Sequence, residues 1–159
     1  MRAGIAALML LCGLMFSGWA QAQTWSSPLP FDANPYVSQQ DTCGFPPQQI
    51  NFPETGDSIF APAVVYRVTN RFARPSANRP WRVQVYPQYA FLNLSVWVCD
   101  SHVGTSLFNC ADASDNGAGM ANTVTVPGFQ AGMHYVVVTG NIEGQYQYCG
   151  PYTLLGTKL

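Results

Sequence analysis

Charged side chains are scarce in this chain. Of its 159 residues 9% are charged, and the two signs nearly balance to leave a formal net charge of −1. Ordinary soluble proteins carry roughly 25% charged residues. A nearly neutral chain has no general electrostatic attraction to a polyanion, so we expect no nucleic-acid partner. The surface is expected to be polar but uncharged, which is common among β-rich proteins that work outside the cytoplasm.

Catalytic motifs are also missing. The chain has two histidines, and neither lies in a G-x-S-x-G or H-E-x-x-H context. Asp100, Ser101 and His102 are neighbours in sequence, but a catalytic triad is assembled in space and not along the chain. We therefore predict a protein that is not an enzyme and requires no cofactor. A small hydrolase built around His102 is the alternative.

Long apolar runs are limited to the N terminus. Residues 1–22 have the pattern of a signal peptide, with Arg2 ahead of the apolar stretch from Ile5 to Phe16 and a small-x-small site at Ala20-Gln21-Ala22. A membrane-spanning helix needs roughly 20 apolar residues, which this stretch does not reach. We expect a mature protein that begins at Gln23, has no membrane span and is periplasmic or secreted.

Four cysteines follow the predicted cleavage site, without any C-x-x-C pair. An even number of cysteines in an exported chain indicates two disulfides, for which three connectivities are possible. We favour Cys99 with Cys110, which flank a short excursion between two strand-like runs, and Cys43 with Cys149, which would tie the start of the domain to its last strands. Zinc held by thiolates is the alternative, and the missing C-x-x-C pair argues against it.

Helical periodicity is absent after the leader, and short strand-like runs replace it. The longest, Phe91 to Cys99, alternates four apolar residues with Asn93, Ser95 and Trp97, which predicts a half-buried strand with Trp97 on its polar face. The other runs are Ala63 to Val68, Arg82 to Tyr86, Thr123 to Val126, Tyr135 to Thr139 and Tyr152 to Leu155. The pattern predicts an all-β protein, a disulfide-stabilised antiparallel β-sandwich of the jelly-roll or immunoglobulin-like type. Since both faces of the run from Tyr135 are apolar, that strand is expected to be central.

The order of several motifs resembles the bacterial pre-peptidase C-terminal domain. The most specific piece is Ala131-Gly132-x-x-Tyr135-Val136-Val137-Val138-x-Gly140, followed by Gly150-Pro151-Tyr152-Thr153-Leu154. Earlier pieces are Asp41-x-Cys43, Val64-Val65-Tyr66-Arg67-Val68, Leu94-x-Val96-x-Val98-Cys99-Asp100-Ser101 and Cys110-x-Asp112-x-x-Asp115-Asn116-Gly117. The likeness implies a non-catalytic β-sandwich, and some relatives bind calcium, collagen or carbohydrate. Gly104 stands where relatives often carry Asp. We expect residues 23–40 to form an extended N-terminal arm, and residues 41–159 to form this domain standing alone, without a peptidase.

Three groups of residues are candidates for binding. The first group is Asp112, Asp115 and Asn116, whose side-chain oxygen atoms precede a glycine as they do in calcium loops, with Asp100 as a further contributor. Thr123 stands where such a loop usually has its acidic closing ligand. An ordinary hairpin turn is the alternative. The other two groups are Arg71 and Arg74 in an arginine-rich segment, for anions, and Trp97, Tyr146 and Tyr148, for stacking on a sugar or protein. A solvated loop and a packed core are the respective alternatives.

These observations predict an exported, non-enzymatic module that binds a carbohydrate or protein ligand in the periplasm or outside the cell. Its partner would be a glycan or an envelope protein, and calcium is a possible ligand. The alternative is a structural or assembly accessory of the cell envelope that uses the arm of residues 23–40 to engage another protein. The sequence gives no indication of the oligomeric state.

Overall fold

The computed structural model describes residues 25, 27–68, 80–112, 116–126, 134–140, 142–143, 146–147 and 149–159. Within these ranges the chain forms β-strands and one short 3-10 turn, Thr42–Gly44. The strands are β1 (Leu29–Phe31), β2 (Tyr36–Asp41), β3 (Pro47–Phe52), β4 (Asp57–Val68), β5 (Trp81–Pro87), β6 (Leu94–Val103), β7 (Ser106–Asp112), β8 (Asn122–Val126), β9 (His134–Gly140), β10 (Ile142–Glu143), β11 (Tyr146–Gln147) and β12 (Pro151–Lys158). The prediction of an all-β protein is confirmed. No helix in these ranges is long and apolar enough to cross a membrane.

The larger sheet closes on itself. Its strands follow the order β1-β4-β3-β7-β6-β9, and β9 also pairs with β4. Strand β4 makes the closure possible because it is long: residues Asp57 to Pro62 pair with β3, and Ala63 to Val68 pair with β9. Five strands therefore form a continuous ring of pairings, where the sequence predicts an antiparallel sandwich. Two of the pairings, β1 with β4 and β3 with β7, are parallel, which differs from the purely antiparallel arrangement that the sequence predicts.

The second sheet, β2-β12-β5-β8, is antiparallel and covers one side of the ring. Between the two lies a continuous apolar core that we call the interlayer core. Its main residues are Val64, Tyr66, Val83, Val85, Leu94, Val96, Val136, Val138, Tyr152 and Leu154. Complete burial of an aliphatic side chain of this size contributes about 1.5–3 kcal/mol. This layer holds the second sheet on strands β4, β6 and β9.

A second apolar cluster, which we call the ring interior, occupies the other face of the same strands. It contains Ile50, Ala63, Val65, Trp97, Cys99, Leu107, Tyr135 and Val137. Strand β9 pairs with both β4 and β6 and has buried residues on both faces, so its predicted central position is confirmed. The prediction of a polar face on β6 is wrong. Ser95 is buried because the ring encloses the face on which it lies with Trp97, and Asn93, just before β6, is buried as well.

The described part of the predicted N-terminal arm belongs to the fold. Leu29–Phe31 pairs in parallel with the end of β4, and Tyr36–Asp41 pairs along β12. Phe31 is completely buried in the interlayer core. The alternating, partly buried positions of β2 are Tyr36, Ser38 and Gln40. Since two of these three residues are polar, no alternation of apolar residues identifies the strand in the sequence. The extended conformation was predicted; the attachment to both sheets was not.

Both disulfides form as predicted. Cys99 and Cys110 are directly opposite one another in the β6–β7 hairpin, and Cys43 is joined to Cys149. Beside the second bridge, the Thr42 backbone N–H donates to the Gly150 carbonyl at 3.0 Å, and the Gly150 N–H donates to the Thr42 hydroxyl at 2.9 Å. The 3-10 turn is thus fastened to the start of β12 by covalent and hydrogen bonds. Two disulfides are consistent with an oxidising, exported environment.

Candidate ligand pocket

The ring is weakest where β3 meets β7. Their register consists of one pair, Asn51 with Ser106. The Asn51 backbone N–H donates to the Thr105 carbonyl at 2.9 Å, and its side-chain amide donates to the Thr105 hydroxyl at 2.9 Å. Beyond this point β3 ends at Phe52 while β7 continues in the same direction to Asp112. We call the resulting opening between the β3–β4 hairpin and β7 the seam.

A pocket of about 350 Å³ opens at the seam. This volume lies near the lower end of the range of roughly 300–1,000 Å³ that is usual for small-molecule sites. The apolar lining is Phe52, Ile59, Trp97, Leu107 and the disulfide-bonded Cys110. The polar lining is Glu54, Thr55, Asp57 and Ser58, all from the hairpin between β3 and β4. The seam pocket therefore has an apolar wall provided by four strands and a polar, acidic side provided by one hairpin.

Two aromatic rings form the centre of the apolar wall. The ring centroids of Phe52 and Trp97 are 5.4 Å apart, with an angle of 36° between the ring planes. Trp97 is 9% exposed and also packs in the ring interior. The indole is held by the core on one side and lines the pocket on the other. This arrangement offers a fixed aromatic surface at little cost in conformational entropy.

The tight hairpin turn that follows Phe52 positions the polar side. The N–H groups of Thr55 and Gly56 both donate to the Phe52 carbonyl, at 3.2 and 2.9 Å. Gly56 adopts a φ of 77°, a left-handed conformation that glycine tolerates without steric cost. Because the turn is closed by these bonds, Glu54, Thr55 and Asp57 are held at the mouth of the pocket.

A hydrogen bond across the seam orients Glu54. Its Oε1 accepts from the backbone N–H of Asn109 in β7 at 3.1 Å. Asn109 has a φ of 51°, a left-handed conformation that asparagine adopts more readily than most residues. Glu54 and Asp57 both line the pocket, and no basic residue among those the structure describes does. The pocket therefore carries two carboxylates with no cation of the described chain in its lining.

The structure places one residue of the predicted ligand set in this pocket. Trp97 lines it, but as a largely buried ring and not as the exposed platform that its sequence position suggests. Tyr146 lies in the short strand β11, whose backbone pairs with β10. Tyr148, Arg71 and Arg74 lie outside the described residues. The roles assigned to these four residues stay predictions.

The calcium prediction concerns the end of β7 and the loop after it. Asp112 is the last residue of β7, and Asp115 lies outside the described residues. The Asn116 side-chain amide donates to the Ala121 carbonyl at 2.6 Å, a contact typical of an ordinary turn. Asp100, the further contributor, is exposed on β6. The described ranges contain no group of three or more His, Cys, Asp or Glu residues arranged to hold a metal ion, and calcium binding stays a prediction.

His102 lies between aromatic rings. Its ring centroid is 4.5 Å from that of Tyr135, edge to face, and 5.2 Å from that of Trp25. Its Nδ1 is 3.4 Å from the Gly104 carbonyl oxygen. These contacts pack the imidazole and place it beside a backbone acceptor. The hydrolase alternative receives no support from them.

Sequence reasoning missed the acidic side of the pocket. Phe52, Glu54 and Asp57 belong to the segment Asn51-Phe-Pro-Glu-Thr-Gly-Asp, which holds two of the eight acidic residues of the chain. Pro and Gly beside acidic residues signal a turn. That signal predicts the hairpin, but it does not reveal that β7 lies alongside it.

No family model matches the chain, and the comparison with curated proteins gives no match either.

Proposed function

We propose that this protein is an exported, non-enzymatic β-module that binds a carbohydrate or protein ligand, and that the seam pocket holds part of that ligand. The observation that carries the proposal is the pocket itself, in which an aromatic wall of Phe52 and Trp97 faces a hydrogen-bonding side. Aromatic faces combined with a few placed polar groups are the usual composition of a binding pocket. The disulfides support the exported location, and the signal-peptide pattern of residues 1–22 belongs to the same proposal.

The proposal extends to the architecture. The second sheet packs across strands β4, β6 and β9 through the interlayer core, as one layer of a β-sandwich packs on another. We propose that the fold is a jelly-roll or immunoglobulin-like sandwich, modified by closure of its larger sheet, of the kind found in the pre-peptidase C-terminal domain. The sequence motifs quoted above are the support for that family.

The envelope-assembly alternative loses its main support. It relied on residues 23–40 acting as an arm that engages another protein. Residues 29–31 and 36–41 pair with β4 and β12 inside this fold. Both segments are edge strands that pair along one side within the fold, so they are not a free arm, and we favour the binding module.

The test is binding by the mature protein with a variant that fills the pocket. A panel of neutral oligosaccharides, peptidoglycan fragments and short peptides is titrated by calorimetry against the wild type and Ser58→Trp. Ser58 is exposed on β4 and lines the pocket, so a large side chain there is expected to abolish binding. Ser101→Trp, at an exposed serine of β6 outside the pocket, is the matched control and should bind normally. Equal binding by both variants, or no binding of any panel member to the wild type, would reject the proposal.

A further inference from the structure

We propose that the seam pocket recognises an alkylammonium group, such as the side chain of a lysine residue. This inference rests on the proposed function, since it names the chemistry of the ligand that the same pocket takes. The evidence comes from three features of the pocket, namely its apolar lining and volume, its aromatic wall and its charge.

The apolar residues suit the stem of such a group. Ile59 and Leu107 line the pocket together with the disulfide-bonded Cys110. Lysine side chains bury their methylene stems along apolar surface while the charged end reaches polar groups. A volume of about 350 Å³ is small for an oligosaccharide and adequate for one extended side chain. The pocket therefore matches a single linear group better than a chain of sugar rings.

The aromatic wall suits the positive charge. A cation within about 6 Å of a Trp or Phe ring face is attracted by the ring quadrupole, and the effect grows when water is excluded. Phe52 and Trp97 place two rings in one wall, with centroids 5.4 Å apart. Trp97 is fixed by the ring interior, so an incoming cation would meet a ring that is already ordered.

The two carboxylates suit the same end of the ligand. Glu54 is oriented by the Asn109 N–H, and Asp57 begins β4 on the other side of the turn. The hydroxyl-bearing residues Thr55 and Ser58 complete the polar lining. Glu54 and Asp57 are both exposed, so water weakens their field without removing its sign. An anionic ligand would be repelled by both carboxylates, and a neutral one would gain no attraction from them. A cation satisfies the acidic side and the aromatic wall together.

The experiment compares two peptides that differ only in the terminal ammonium group of one side chain. Acetyl-Gly-Lys-Gly-amide and its norleucine analogue are titrated against the mature protein, with 1,5-diaminopentane as a free source of the same group. We expect the lysine peptide to bind at least tenfold more tightly than the norleucine peptide. Glu54→Gln and Asp57→Asn should each weaken lysine binding about fivefold and leave norleucine binding unchanged. Asp32→Asn removes an exposed carboxylate away from the pocket and should change neither.

The outcomes separate this inference from the proposed function. Tight binding of the diamine without the peptide supports the alkylammonium chemistry and assigns it to a small-molecule source. Equal affinity for lysine and norleucine, or lysine binding unaffected by both substitutions, overturns the inference while the pocket remains a binding site. A neutral oligosaccharide that binds when neither cation does also overturns it and leaves the proposed function standing. If no probe and no panel member binds, both proposals fail.

Discussion

The ring of Phe31 lies directly against the backbone of Gly156. A Cβ atom added at position 156 would stand 2.1 Å from Phe31 Cζ and 2.9 Å from the two neighbouring ring carbons, Cε1 and Cε2. Phe31 belongs to β1 of the larger sheet and Gly156 to β12 of the smaller one. The contact therefore couples the N-terminal segment to the second sheet, and it requires a residue without a side chain.

Replacing Gly156 by alanine tests this contact. Because Phe31 is completely buried and cannot swing into solvent, the added methyl group must displace a packed ring. Overpacking of this kind costs about 1–3 kcal/mol. Urea denaturation should show that loss for Gly156→Ala, whereas Gly44→Ala, where a Cβ meets nothing within 4 Å, should show a far smaller one. Equal stability of both variants would contradict the packing described here.

The sequence predicts the strands more reliably than their partners. Tyr135 and Val138 belong to a strand whose two faces are both apolar, and this property places β9 between two others. By contrast, Asn93 and Ser95 are predicted to be surface residues, since nothing in the local sequence shows that the ring closes over the face of β6 that carries Ser95. Ring closure depends on the pairing of β4 with β9 and of β3 with β7, and both pairings join strands far apart in the chain. Such long-range pairing cannot be predicted from the local pattern of residues.

Truncation of Trp97 tests its burial. The indole packs in the ring interior, so Trp97→Ala should leave a cavity and reduce the free energy of unfolding by about 3–5 kcal/mol. Phe91→Ala removes an aromatic ring that is 67% exposed and should cost much less. Thermal or urea unfolding of the two variants measures the difference. A Trp97→Ala protein as stable as Phe91→Ala would mean that Trp97 is a surface ring.

The two disulfides should contribute unequally to stability. They join residues 106 and 11 positions apart. In the chain-entropy description, closing the longer loop stabilises the fold by about 5 kcal/mol and the shorter by about 3 kcal/mol. Unfolding of the Cys43→Ala/Cys149→Ala and Cys99→Ala/Cys110→Ala double variants should therefore show the larger loss for the first pair. The reverse order would argue against loop closure as the main contribution.

A buried tyrosine pair makes stability fall at high pH. The hydroxyls of Tyr66 and Tyr152 are 2.8 Å apart between the two sheets. Burial away from water raises the pKa of both tyrosines above the ordinary value of about 10. Unfolded tyrosines lose their protons first as the pH rises, so this contribution to stability is complete below pH 10 and declines above it.

The measurement is urea denaturation of the wild type between pH 8 and pH 11. Each tyrosine held protonated by the fold lowers stability by up to about 1.4 kcal/mol per pH unit in the alkaline range. Tyr152→Phe removes one such group and should give a shallower decline, with Tyr86→Phe at a partly exposed tyrosine as the matched control. A decline of the same slope in Tyr152→Phe would show that the loss of stability comes from other groups.

Part of the candidate site follows from the sequence. The sequence indicates Trp97 as a candidate because it lies on the otherwise polar face of its strand, and it does line the pocket. Trp97 does not lie on an exposed polar face as the sequence predicts, because the face of β6 that carries it is buried. Glu54 gave no comparable signal, because its place beside Asn109 depends on a contact between residues 55 positions apart. Chemistry that depends on such a contact becomes visible only in the folded chain.

The central claim is that the seam pocket is the binding site. Nitrogen–proton correlation spectra of the mature protein, recorded during titration with a ligand found in the panels above, test it most directly. We expect saturable shifts at the Trp97 indole N–H and at the backbone amides of Glu54 to Ser58, while the indole of Trp81, completely buried in the interlayer core, stays unchanged. Saturable binding with shifts confined to other surfaces, such as the stacked and exposed rings of Tyr89 and Phe91, would contradict the claim.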